Sequence, residues 1–173
     1  MSILILSNSF VMDEKIYCAL FFVLFSLGCK KAGAPQQENP SNDYSQEAEE
    51  DNNNTNTIQF SGYTWKVKNT GNSTMGPGPN YWNQQNVWVD SNGWLHLKLS
   101  WNASVKRWEC AEVISTQSFG YGTYQWQVEG RLNALDKNVV LGLFNYNGLD
   151  GLHEMDIEFA RWGVQNNQPI NYT

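Results

Sequence analysis

Gln85-Asn86-Val87-Trp88-Val89-Asp90-Ser91-Asn92-Gly93-Trp94-Leu95-His96-Leu97-Lys98-Leu99-Ser100-Trp101 is two strand-like runs around a turn. The Asn-Gly pair between runs rich in β-branched and aromatic residues is a strong hairpin signal. After it, Leu95, Leu97, Leu99 and Trp101 alternate with His96, Lys98 and Ser100. That period of two predicts a half-buried strand over Trp94–Trp101. Downstream the same grammar continues. Trp108 to Thr116 reads as a strand, and Tyr124, Trp126 and Val128 alternate with Gln125, Gln127 and Glu129. Val139 to Phe144 is a continuous apolar run that fits a strand covered on both faces. Helical periodicity is absent outside the N-terminal apolar segment. The expected fold is all-β, an antiparallel jelly-roll sandwich.

One later strand carries charge where a strand should not. Glu154-Met155-Asp156-Ile157-Glu158-Phe159 sets three carboxylates at alternate positions. Alternation turns Glu154, Asp156 and Glu158 to one face and Met155, Ile157 and Phe159 to the other. Acids are depleted in strands, and like charges on one face repel. Two carboxylates roughly 6 to 7 Å apart at an effective dielectric of about 20 repel by roughly 2 to 3 kcal/mol. Glycosidic bond cleavage is a use that compensates such a cost, because it sets one ionised and one protonated carboxyl group across a sugar. A solvated strand face and a calcium-type oxygen cluster are the alternatives that the triplet alone leaves open.

The N-terminus reads as a targeting segment. Lys15 precedes an apolar run from Ile16 to Leu27, the length of a signal-peptide core rather than a membrane span. Residues 1–28 are therefore expected to be a signal peptide, with Met12 as an alternative start. Ser26-Leu27-Gly28-Cys29 resembles a bacterial lipobox, which makes Cys29 the expected lipidation site and new N-terminus. Residues 29–57 follow as a tether. From Pro35 it is rich in Gln, Asn, Ser and Glu, with six acids and no Lys or Arg. The formal charge of −6 is located there; from Ile58 on, eight basic residues face nine acids. No basic patch argues for nucleic acid. Cys110 stands alone in the expected domain, a buried small hydrophobe with no disulfide partner.

Three ordered stretches resemble family 16 glycoside hydrolases, most closely the bacterial lichenase (endo-1,3-1,4-β-glucanase) branch. They are Asn86 to Leu99, then Glu109-Cys110-Ala111-Glu112 through Phe119-Gly120-Tyr121-Gly122-Thr123-Tyr124, then Leu143-Phe144-Asn145-Tyr146-Asn147-Gly148 leading into the acidic strand. The likeness covers roughly residues 80 to 173. All-β sandwiches often run to roughly 200–250 residues. Residues 58–173 therefore read as the N-terminal part of a truncated, concanavalin-like jelly-roll domain.

The resemblance implies a carbohydrate cleft on the concave sheet and hydrolysis with retention. It implies Glu154 as nucleophile, Glu158 as general acid/base and Asp156 as the residue that tunes them. Asn80 and Glu112 fall near its sugar-binding positions. Trp82, in an irregular Gly/Pro-rich stretch, and Trp162, just beyond the acidic strand, are the expected stacking platforms. Six other tryptophans (Trp65, Trp88, Trp94, Trp101, Trp108 and Trp126) are expected in core or rim packing. The sequence departs from the family at Ile114, where lichenases carry an Arg, and at Leu152-His153, where they carry a Trp-containing approach. The partner of the cysteine at the Cys110 position is also missing. His96 and His153 form no metal spacing, so no metal or cofactor is expected beyond a structural calcium. The expected partners are a polysaccharide substrate and a membrane reached through the lipid anchor, for a monomeric, exported envelope or secreted protein. A non-catalytic carbohydrate-binding protein on this fold and an inactive fragment are the competing readings.

Overall fold

The computed structural model describes residues 56–120, 122–146 and 154–172, together with the backbone of 2–7 and 17–24. Cys29, the tether up to residue 55 and Leu152-His153 lie outside the described residues.

Thirteen strands are described: β1 (Ser2–Ser7), β2 (Tyr17–Leu24), β3 (Thr57–Phe60), β4 (Tyr63–Val67), β5 (Val87–Val89), β6 (Leu95–Lys98), β7 (Ser100–Asn102), β8 (Arg107–Glu109), β9 (Ala111–Ser115), β10 (Trp126–Glu129), β11 (Val139–Tyr146), β12 (Met155–Ala160) and β13 (Ile170–Tyr172). Among the described residues the helical content is two single 3-10 turns, Gln84–Asn86 and Leu132–Ala134. A four-stranded sheet runs β10-β1-β6-β5, and a seven-stranded sheet runs β13-β12-β11-β2-β9-β4-β3. β7 and β8 form a separate hairpin that carries the chain from the first sheet to the second. Every strand pair is antiparallel, as an all-β sandwich of the jelly-roll kind requires.

The core lies between the two sheets. Leu95 and Leu97 enter it from the smaller sheet, and Trp65, Val113 and Leu141 from the larger, all fully buried. Trp65 stays there because its indole N–H donates to the Phe60 carbonyl at 2.9 Å, as a buried Trp requires. Truncating one such leucine to Ala costs about 2–5 kcal/mol.

The β5–β6 hairpin forms where the sequence places it, with a turn one residue longer than the Asn-Gly pair alone suggests. Gly93 N–H donates to Asp90 O, and Gly93 has φ +80 while Asn92 does not. This is a type I turn closed by a left-handed glycine. The Asp90 carboxylate accepts from the N–H of both Asn92 and Trp94, fixing the turn from inside.

Two expected strands are each broken. Trp94–Trp101 stops at Lys98, and the chain leaves the sheet at Leu99 to enter the β7–β8 hairpin. Trp101, expected to alternate inward, is therefore 51 % exposed, edge-on to Trp108 at 42 %. Trp108–Thr116 is interrupted at Cys110, whose N–H turns aside to the Tyr81 carbonyl at 2.7 Å. The Ile16–Leu27 run expected in a signal peptide is, over Tyr17–Leu24, a strand inside the larger sheet. Among the described residues no helix is long and apolar enough to cross a membrane.

Candidate active site

β12 carries Asp156 and Glu158, with Glu154 immediately before it, and its pairing fixes the neighbours of those two. In the β11–β12 register Gly142 stands opposite Glu158 and Phe144 opposite Asp156. On the other side Asn171 of β13 stands opposite Glu158. Opposed residues of an antiparallel pair share a face. One row across the sheet thus reads Asn171, Glu158, Gly142, Phe21, Glu112. The next reads Asp156, Phe144, Ala19, Ile114, Lys66. The alternate rows hold Ile157 with Leu143 and Phe159 with Leu141, which pack on the core. Gly142 brings no side chain beside Glu158 and is itself buried.

The environment raises two of the three carboxyl groups. Burial, then the negative charge of Glu154, pushes Asp156 up to about 6. Burial, then the charges of Asp156 and Glu154, lifts Glu158 above the usual glutamate range. Asp156 is half-buried as a residue, yet its Oδ1 is sealed from solvent with no hydrogen-bond partner. A buried acceptor left unpaired costs about 1–3 kcal/mol, more when charged. That cost favours the protonated form of Asp156. None of the three makes an ion pair with a described Lys, Arg or His. Arg161 is held away, its guanidinium donating to the carbonyls of Asn133 and Leu135. The result is a strand face on which two carboxyl groups of raised pKa sit beside a further acid, the inventory of general acid plus nucleophile.

The other expected site residues are placed differently. Glu112 shares the Glu158 row but is 2 % exposed, with Lys68 Nζ 3.3 Å from Oε1 and 3.2 Å from Oε2. Asn80 is 7 % exposed and braces its own loop, donating to the Pro77 carbonyl and pairing with Met75. Trp82, expected as a sugar platform, is corrected to a core residue. It is 1 % exposed, its indole N–H donates to the Met75 carbonyl, and Lys68 Nζ sits 4.8 Å from the ring. Trp162 follows β12 with φ +52 and packs half-buried against the core. In the opposite direction, Trp88, Trp101 and Trp108 are exposed; Trp88 stacks flat on His96.

The sequence reading missed Lys68, Gly142, Phe144 and Asn171. Their roles arise from cross-strand register and carry no local signal. It also missed a cavity of about 330 Å³ bordering Asp156, lined by Tyr124, Trp126, Leu143, Met155, Ile157 and Tyr172 among others. Among the described residues no group of three His, Cys, Asp or Glu side chains is arranged to hold a metal ion.

No family model matches the chain. Among curated proteins, a beta-glucanase of Bacillus licheniformis is 35 % identical over 81 residues. The match takes in 45 % of this chain and 32 % of that protein, so the chain spans about a third of the relative's length. It supports a glucanase-like relationship.

Proposed function

We propose that this chain carries the catalytic strand of a retaining, endo-acting glycoside hydrolase of the family 16 kind, cutting a β-linked, β-glucan-like polysaccharide. Glu154 attacks the anomeric carbon, Glu158 protonates the leaving oxygen and then activates water, and Asp156 holds a proton between them. The observation that carries the reading is the β12 face. Asp156 and Glu158 share it, Glu154 directly precedes the strand, and burial together with the charge of Glu154 raises the pKa of both. The beta-glucanase likeness supports the substrate class.

The Cα atoms of Glu154 and Glu158 are about 13 Å apart along a strand. Retaining hydrolysis needs carboxyl groups roughly 5–5.5 Å apart. Two glutamate side chains leaning inward close most of that gap, and strand curvature closes the rest. Export and lipid anchoring at Cys29 complete the proposal, placing a monomeric enzyme in the cell envelope or outside it. Sugar contacts are assigned to the face that carries Glu158 and Asn171. Ile114 and Lys66 stand in the neighbouring row with Asp156.

Reducing-end release from lichenan, laminarin, agarose and carrageenan by the full chain tests the reading. Release from a β-glucan that Glu154→Gln abolishes is the expected result. No release from any of the four overturns it.

A further inference from the structure

β1 and β2 are interior strands, although they come first in the chain. β2 pairs with β11 over Tyr17–Leu24 on one side and with β9 over Ala19–Phe22 on the other. β1 likewise lies between β10 and β6. Subtracting β2 divides the seven-stranded sheet into β13-β12-β11 and β9-β4-β3. The facing edges would stand about 9–10 Å apart, the width of one missing strand. Each edge would present unpaired N–H and C=O groups, a template for a further strand.

The slot has a chemical preference. Along β11, Val139, Val140, Leu141 and Leu143 are buried, so that strand is covered on both faces over much of its length. A strand beside it is best left uncharged, and Tyr17-Cys18-Ala19-Leu20-Phe21-Phe22-Val23-Leu24 carries no charge.

We propose that the position between β9 and β11 is a strand-acceptor slot for an extended, uncharged apolar segment, and that Tyr17–Leu24 of the same chain is its occupant. The run that would guide export therefore has a second use. Retained, it joins the sheet half bearing Glu154, Asp156 and Glu158 to the half bearing Glu112. Withdrawn, it uncouples them. This inference stands on pairing alone and is independent of the hydrolase reading.

The register supplies the test, because Cys18 lies opposite Asn145. Opposed Cα atoms are about 4.5–5.5 Å apart, inside the roughly 4.4–6.8 Å that a disulfide spans. The full chain is made without translocation in a Cys29→Ser background, carrying Asn145→Cys or Leu143→Cys, and oxidised as a dilute monomer. Cys110, 1 % exposed, stays out of the exchange. The expected result is an intramolecular Cys18 cross-link in the Asn145→Cys protein, seen as loss of two hydrogens and a joined peptide pair, with little in Leu143→Cys. A second pair guards against a folding failure at position 145. Ala19→Cys with Ile114→Cys, opposed across the β9 side, should cross-link in a Cys18→Ser, Cys29→Ser background. No cross-link in either protein overturns the proposal. So does preferential trapping at position 143, or a cross-link found only between two copies.

Discussion

Glu158 of β12 and Glu112 of β9 stand in one row of the seven-stranded sheet, three strands apart, with Gly142 and Phe21 between them. At about 4.8 Å per strand that row is roughly 14 Å long. The two ends differ in electrostatic state. Glu112 is tied to Lys68, whereas the charges that act on Glu158 are those of Asp156 and Glu154.

The division of labour on β12 predicts unequal mutants. Glu158→Gln should lose most activity on polysaccharide yet keep measurable turnover of an aryl glycoside whose leaving group needs no proton. Glu154→Gln should lose both. Steady-state kinetics on the two substrates checks this, and equal loss on the aryl glycoside reverses the roles.

Stability should fall as pH rises through the carboxylate range. Asp156 has a folded value of about 6 against an ordinary 3.8, so the folded protein holds its proton more tightly than the unfolded chain. That contribution is complete below about pH 4 and is lost as pH passes about 6. Glu158 adds in the same direction. Urea midpoints at roughly pH 4.5 and 7, the two sides of that window, should differ less in Asp156→Asn than in the parent.

Glu109 predicts the opposite dependence. Burial alone would raise it, but hydrogen bonds from Asn83 (2.6 Å), Asn102 (3.0 Å) and Arg107 (3.1 Å) outweigh burial and hold it below the usual range. Its contribution is present above the ordinary glutamate value and lost as pH falls through the depressed one. Glu109→Ala strands two amide donors and should cost about 2–3 kcal/mol near neutral pH, read from denaturant unfolding.

Lys68→Met leaves Glu112 buried without its cation, which should cost about 3–5 kcal/mol. Adding Glu112→Gln should recover a large part of that loss. A double-mutant cycle by chemical denaturation measures the coupling, and additive losses would show that the pair contributes nothing specific.

What the sequence made legible was local and periodic. Asp90 to Gly93 announced its turn because the turn chemistry lies within four residues. The alternation of Leu95, Leu97 and Leu99 announced an inward face, and all three are buried. Period two likewise put Asp156 and Glu158 on one face, as the β11–β12 register has them, while Glu154 precedes the strand. The rest depended on residues far apart in the chain. Trp82 is buried because its backbone bridges to Cys110 and its N–H meets Met75, and neither contact is readable from Gly-Pro-Asn spacing. Trp101 was misplaced because alternation cannot see that the strand leaves its sheet at Leu99. Tyr17–Leu24 was ambiguous for a physical reason. An uncharged apolar octet satisfies a signal-peptide core and a strand covered on both faces equally well.

The central claim is that Glu154 attacks the sugar. Peptide mapping of the full chain after incubation with a 2-deoxy-2-fluoro β-glucan oligosaccharide bearing an activated leaving group tests it most directly, because a retaining enzyme accumulates its covalent intermediate on the nucleophile. The account predicts one glycosyl adduct, on the peptide containing residues 154–158 and localised to Glu154. An adduct on Asp156 or Glu158, or none while β-glucan is still hydrolysed, would contradict it.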